Sequence, residues 1–178
     1  MQGCVGKAHL PDYCECAFDQ FREVFKDVDL SKPLPEGDPH VKTLQDKTVA
    51  VCASKLNEEQ VKSNYVEACQ EGNKKKAKYC TCAFSALRKS LSLADFMGDA
   101  DTPRFIEAKK AMVVVCKGKY PAEVAKSEFV TECTKDKPED RKMCDCLWKK
   151  IKAAMTLEEL AAGTVDVKTV PGLAECGK

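Results

Sequence analysis

Twelve cysteines fall into three sets of one spacing, and this constrains the fold more than any other feature of the chain. The first set is Cys4, Cys14, Cys16 and Cys52; the second is Cys69, Cys80, Cys82 and Cys116; the third is Cys133, Cys144, Cys146 and Cys176. Each reads C-x(9 or 10)-C-x-C, with a fourth cysteine 30 to 36 residues later, and no cysteine is left over. The neighbours repeat as well. Tyr13-Cys14-Glu15-Cys16-Ala17-Phe18 matches Tyr79-Cys80-Thr81-Cys82-Ala83-Phe84, and Met143-Cys144-Asp145-Cys146-Leu147-Trp148 is the third copy. Tyr65-Val66-Glu67-Ala68-Cys69 likewise matches Phe129-Val130-Thr131-Glu132-Cys133. The period is close to 64 residues, which is repeat-array territory.

The repeat divides the chain into residues 1–55, 56–119 and 120–178. The expected architecture is all-α: three tandem disulfide-clamped helical units packed side by side, each ordered helix, C-x-C helix, helix. The first unit has no room for a leading helix before Cys4 and is expected to be truncated. The opening Met1-Gln2-Gly3-Cys4 has no basic start and no apolar segment. A precursor with a leader is the expectation, with Met1 standing in its place.

Helical signals are clearest in the middle unit. Asn57 is placed to cap a helix, with Gln60 as capping-box partner. Val61, Tyr65, Ala68 and Cys69 then share a face. Gly72 ends that helix, and Asn73-Lys74-Lys75-Lys76 reads as a solvated loop. A second helix begins near Ala77, with Cys80, Phe84, Leu87 and Leu91 as its apolar stripe. Cys144, Trp148, Ile151 and Met155 repeat the stripe in the third unit, and Cys14, Phe18, Phe21 and Phe25 in the first. Ser92 to Asp95 and Thr156 to Glu159 look like fresh helix starts, Thr156 with Glu159 as a capping box. Pro103 opens a third helix that runs to Cys116, with Phe105, Ala108, Met112 and Cys116 on one face. Its counterpart in the last unit, β-branched around Val165 and Val167 and interrupted by Pro171, must be short or distorted.

An even count of cysteines fits six disulfides in an oxidising compartment or a reduced thiol store for soft metals. Zinc sites favour C-x(2–4)-C pairs, and none occurs here. A catalytic dithiol would appear once, whereas the C-x-C occurs three times. Structural disulfides are therefore expected. Two residues apart on a helix are about 200° apart around its axis, so the two cysteines of a C-x-C should not bond each other. If the second and third helices form an antiparallel hairpin, the end of the third lies beside the start of the second. On that reasoning the pairs are Cys4–Cys16, Cys14–Cys52, Cys69–Cys82, Cys80–Cys116, Cys133–Cys146 and Cys144–Cys176. The other connectivity, Cys69–Cys80 with Cys82–Cys116 and its equivalents, satisfies the spacing nearly as well. The first cysteine of each C-x-C shares the apolar stripe and is expected to be buried, the second to lie nearer the surface.

The remaining composition speaks against other classes. Lysine and arginine number 29 and acidic residues 28, so no charge excess points to nucleic acid or an anionic membrane. The longest apolar run, Ala111 to Cys116, falls far short of a membrane span. His9 and His40 lie outside the repeat and read as exposed loop residues, and no nucleophile–His–acid set can be assembled. No phosphate-binding glycine loop occurs. Trp148 and the phenylalanines read as core. No catalytic residue, metal ligand or cofactor is expected.

Tyr13-Cys14-Glu15-Cys16 and Tyr79-Cys80-Thr81-Cys82 resemble the YCxC element of small exported bacterial helical proteins of unknown function, and Met143 departs from it. The resemblance covers the chain by repetition, implies a periplasmic, cell-surface or extracellular location, and offers no activity. Plant lipid-transfer proteins also carry a C-x-C on a helix, but their adjacent Cys-Cys pair is absent here. The reading is an exported, non-enzymatic structural or protein-binding module, with another protein as partner. A carrier of a small apolar ligand held between helices is the alternative, and a thiol–disulfide oxidoreductase or thiolate metal binder the third. An internal cavity would favour the carrier; a packed interior with an exposed apolar patch would favour the binding module.

Overall fold

A computed structural model describes residues 10–98, 100–135 and 137–177. The protein is all-α, and the described residues contain no strand. The described residues form eight α-helices, in order α1 Pro11–Val24, α2 Pro39–Cys52, α3 Glu58–Gln70, α4 Ala77–Leu87, α5 Pro103–Val115, α6 Ala122–Cys133, α7 Arg141–Ala154 and α8 Leu157–Ala162. Short 3-10 turns fill most of the links.

Local chemistry accounts for the boundaries. Pro11, Pro39 and Pro103 stand in first turns, where a missing N–H costs nothing. The Asp38 carboxylate caps α2 by accepting from the His40 N–H. The Asn57 side chain accepts from the Glu59 and Gln60 N–H groups at the start of α3. Gly72, at φ +79°, takes the left-handed turn that follows α3. Thr156 and Glu159 form the complete capping box of α8, and Gly163 ends it in the left-handed conformation. After Pro171 only a 3-10 stretch, Leu173–Gly177, carries Cys176.

The described helices gather into two compact bodies. One takes the chain up to Tyr65 together with Leu91–Thr102; the other takes Val66–Ser90 with Pro103–Lys178. The second and third cysteine sets both fall in the second body. The limits at 55 and 119 are therefore boundaries of the sequence repeat and not of a compact body, because the chain crosses between bodies inside the middle unit.

In the second body α4 packs on α5 and α6 on α7, with α8 against α5 and α6. Phe84, Leu87, Ile151, Cys80, Cys116 and Cys144 are fully buried there. The C-x-C stripe fills this core much as its spacing predicts: Cys80, Phe84 and Leu87 are buried, as are Cys144, Trp148 and Ile151, with Met155 half-buried; Leu91, also buried, belongs to the first body. In the first body α1 packs on α2, and the stripe is less complete. Cys14 and Phe25 are buried and Phe21 half-buried, but Phe18 is exposed. The three rings instead stack in sequence along α1, Phe18 on Phe21 and Phe21 on Phe25. The reading of Phe18 as core is corrected accordingly: its ring is exposed, and α2, packed on α1, fully buries only Cys52.

Candidate functional site

Five disulfides join the described cysteines: Cys16–Cys52, Cys69–Cys80, Cys82–Cys116, Cys133–Cys144 and Cys146–Cys176. Cys14 is disulfide-bonded as well, and Cys4 lies outside the described residues. No described cysteine carries a free thiol. The two cysteines of each C-x-C do take different partners, and every described bond stays within one four-cysteine set.

The preferred pairing is overturned. Cys69–Cys82, Cys80–Cys116, Cys133–Cys146 and Cys144–Cys176 do not form, nor do Cys4–Cys16 and Cys14–Cys52, since Cys16 bonds Cys52. The other weighed connectivity is the one present. The path of the chain into α4 accounts for it. The reversal after α3 is tight, through Glu71 at φ +48°, Gly72 and the 3-10 turn Lys74–Lys76. It brings Cys69 within 5.8 Å of Cys80, Cα to Cα. The opposite side of α4 then faces the end of α5, where Cys82 and Cys116 are also 5.8 Å apart. Proximity of the two helix ends was a sound premise; burial on the apolar stripe did not decide which cysteine faced which partner.

Exposure follows a rule across these bonds. Cys14, Cys80 and Cys144, first in each C-x-C, are buried, and Cys16, Cys82 and Cys146 are half-buried. Each described disulfide therefore joins one buried and one half-buried cysteine. Thiol–disulfide exchange needs an in-line approach to sulfur, and the buried partner blocks one side of every bond.

A polar cluster that sequence reasoning missed lies at the α3–α4 turn. Lys76 is 3 % exposed, not solvated as its place in a lysine run suggested. Its ammonium donates to Glu71 Oε2 at 2.7 Å and to Glu128 Oε1 at 3.0 Å. The Tyr120 hydroxyl donates to Glu128 Oε2 at 2.6 Å, and the Tyr120 N–H donates to buried Glu158 at 3.0 Å. Burial pulls the Lys76 ammonium toward neutrality, but its two carboxylate partners outweigh that, and its pKa is raised. Burial first and the Glu128 carboxylate second raise the Tyr120 phenol well above its usual value. Nothing in the spacing of Lys76 marks it, because its partner Glu128 is 52 residues away.

Beside this cluster a small cavity of about 180 Å³ is lined by Tyr120, Ala125, Glu128, Phe129, Leu157, Leu160 and Ala161. Its aromatic walls are braced from behind. Tyr120 meets Tyr79 edge-on at 4.8 Å, and Phe129 lies 5.6 Å from Trp148. In the first body a wider, mixed polar and apolar groove of about 900 Å³ runs between Tyr13, Leu44, Val49 and Met97.

The apolar run Ala111–Cys116 covers the whole circumference of α5. Met112, Val113 and Cys116 turn inward; Ala111, Val114 and Val115 face solvent, Val114 at 75 % and Val115 at 54 % exposure. Ala111 stands three and four residues before the valines, so the three side chains adjoin. The flanking Glu107–Lys110 ion pair lies on the same exposed side.

His40 sits in the first turn of α2, half-buried, with Nδ1 2.8 Å from the Asp38 carboxylate; it is not a loop residue, because Pro39 starts the helix before it. His9 lies outside the described residues. Among the described residues no group of three or more His, Cys, Asp and Glu is placed to hold a metal ion. No described helix is long and apolar enough to cross a membrane. No protein-family model, curated protein or solved structure matches the chain.

Proposed function

We propose that this protein is an exported, non-enzymatic binding module that presents an apolar helix face to another protein. The observation that carries this reading is the outward half of the Ala111–Cys116 run. An amphipathic helix would place polar residues there, yet Val114 is the most exposed large apolar side chain among the described residues. The interior behind it is packed, with Cys80, Cys116, Phe84 and Leu87 closed to solvent.

The disulfides support export. Bonds of this number form and persist in oxidising compartments, and the half-buried arrangement suits a structural role rather than turnover. The YCxC resemblance points the same way, toward the cell envelope or exterior. The three-unit organisation remains the reading of the sequence repeat, supported by the recurrence of the same two loop closures: Cys69–Cys80 and Cys133–Cys144, each spanning 11 residues, and the longer bonds that follow them.

Site-specific photocrosslinking tests the proposal. A photoreactive side chain at position 114 or 115, in protein added to an envelope or extracellular fraction, should give one discrete protein adduct. The adduct should be absent with the probe at exposed Lys152, and V115K should abolish it when the probe is at 114. Adducts no stronger at 114 than at 152 would refute the reading. Turnover in an insulin-reduction assay, abolished by Cys82→Ser with folding intact, would make the protein an oxidoreductase instead.

A further inference from the structure

We propose that the cavity beside Tyr120 is a binding site for a small arylalkylamine, a single aromatic ring bearing a primary ammonium group. The inference is independent of the α5 surface.

Size sets the first limit. The cavity measures about 180 Å³, slightly more than the engineered apolar cavity of about 150 Å³ that holds benzene. It takes one ring and a short side chain. Shape sets the second. Phe129, Leu157, Leu160 and Ala125 provide apolar walls. Trp148 behind Phe129 and Tyr79 behind Tyr120 hold those walls in place. The capping box of α8 and the Glu158–Tyr120 hydrogen bond anchor the opposite side. The site is therefore largely preformed, which reduces the ordering cost of binding.

The polar rim sets the third limit, the chemistry of the ligand. It offers acceptors. Glu128 uses one direction of each carboxylate oxygen for Lys76 and Tyr120, and 43 % of its side chain stays open. The Tyr120 hydroxyl donates its one hydrogen bond to Glu128, so toward a ligand it too offers only an acceptor. The Lys76 side chain, the one cation of the cluster, is 4 % exposed, and its ammonium is engaged by two carboxylates. Glu71, Glu128 and Glu158 against Lys76 leave the cluster with acidic side chains in excess. A carboxylate ligand meets repulsion here; an ammonium finds both a charge complement and an acceptor.

The test titrates the intact oxidised protein with benzylamine, benzyl alcohol, toluene and benzoate, followed by calorimetry and methyl NMR. Benzylamine should bind saturably with a dissociation constant below about 1 mM, with benzyl alcohol and toluene progressively weaker and benzoate weakest. Ala161 is exposed at the rim, so A161F should fold normally, cover the entrance and weaken benzylamine at least tenfold. In the unsubstituted protein, nuclear Overhauser contacts should join the benzylamine ring to the Leu157 and Leu160 methyls. The proposal is overturned by no saturable benzylamine binding, by contacts only to methyls elsewhere, by affinity unchanged in A161F, or by benzoate binding as tightly as benzylamine.

Discussion

The Lys76 ammonium donates to the Glu128 carboxylate at 3.0 Å, tying the turn before α4 to the middle of α6 across 52 positions of sequence. Both partners' remaining bonds, to Glu71 and to Tyr120, make the pair the centre of a small network. Breaking a fully buried pair costs about 3–5 kcal/mol. Here the carboxylates stay partly in water, and the cost must be smaller. Lys76→Met keeps the buried stem and leaves two solvated glutamates, so it should destabilise by less than about 1.5 kcal/mol. Lys76→Ala loses the stem as well and should cost clearly more. Urea unfolding of the oxidised variants measures both; equal losses would show that the ammonium, not the packing, dominates.

The two disulfides on α4 close loops of different length, Cys69–Cys80 with a separation of 11 and Cys82–Cys116 with 34. In the chain-entropy model these are worth about 2.8 and about 3.8 kcal/mol. The paired Ser variant of Cys82 and Cys116 should therefore melt below that of Cys69 and Cys80. Partial reduction with cyanylation should recover Cys69–Cys80 and Cys82–Cys116 as the bonded pairs. Non-reduced protein should take up no alkylating reagent in denaturant.

Thr156 Oγ accepts from the Glu159 N–H at 3.2 Å, and Glu159 Oε2 accepts from the Thr156 N–H at 2.7 Å. Thr156→Ala should cost about 1 kcal/mol. The Thr156 backbone N–H, then its hydroxyl, holds the Glu159 carboxyl below its usual range. A folded pKa below the unfolded one stabilises above the ordinary carboxylate value and is lost as pH falls through the depressed folded value. The stability difference between the parent and Glu159→Gln should accordingly be constant near neutrality and shrink below about pH 4. An unchanged difference down to acid unfolding would contradict the capping role.

Burial pushes the Tyr65 phenol up to about 12, and the ring packs edge-on against Phe96. A raised folded pKa means that its stabilising effect is complete below the unfolded phenol value, about 10, and is lost as pH rises through the folded one. Stability should fall between about pH 10 and 12, and Tyr65→Phe should flatten that fall. Phenolate absorbance of the folded protein should lag that of the denatured chain over the same range.

Val114 and Val115 make little contact with the body of the protein, so V114S and V115S should each change stability by less than about 0.5 kcal/mol. Buried Val113 lies next to them, and V113A should cost about 1 kcal/mol or more. Thermal unfolding separates the two faces of one run of valines.

The helices were legible from sequence because their signals are local. The Cys80–Phe84–Leu87 stripe, the Thr156–Glu159 box, Pro103 in a first turn and Pro171 after the last regular helix act within a turn or two of chain. The same locality hid the rest. Which cysteine of a C-x-C meets which partner depends on the path of the chain into α4, and both choices share one spacing. Phe18 repeats the pattern of Phe84, yet Phe84 is buried where α4 packs on α5 and Phe18 is exposed where α1 packs on α2. Lys76 looks like Lys74 and Lys75 until Glu128 arrives from α6, because burial of a charge depends on a partner that the local sequence does not contain. The all-α class and the disulfide-rich character were set by the chain itself, whereas pairing, burial and the Tyr120 cavity were decided only when distant segments packed.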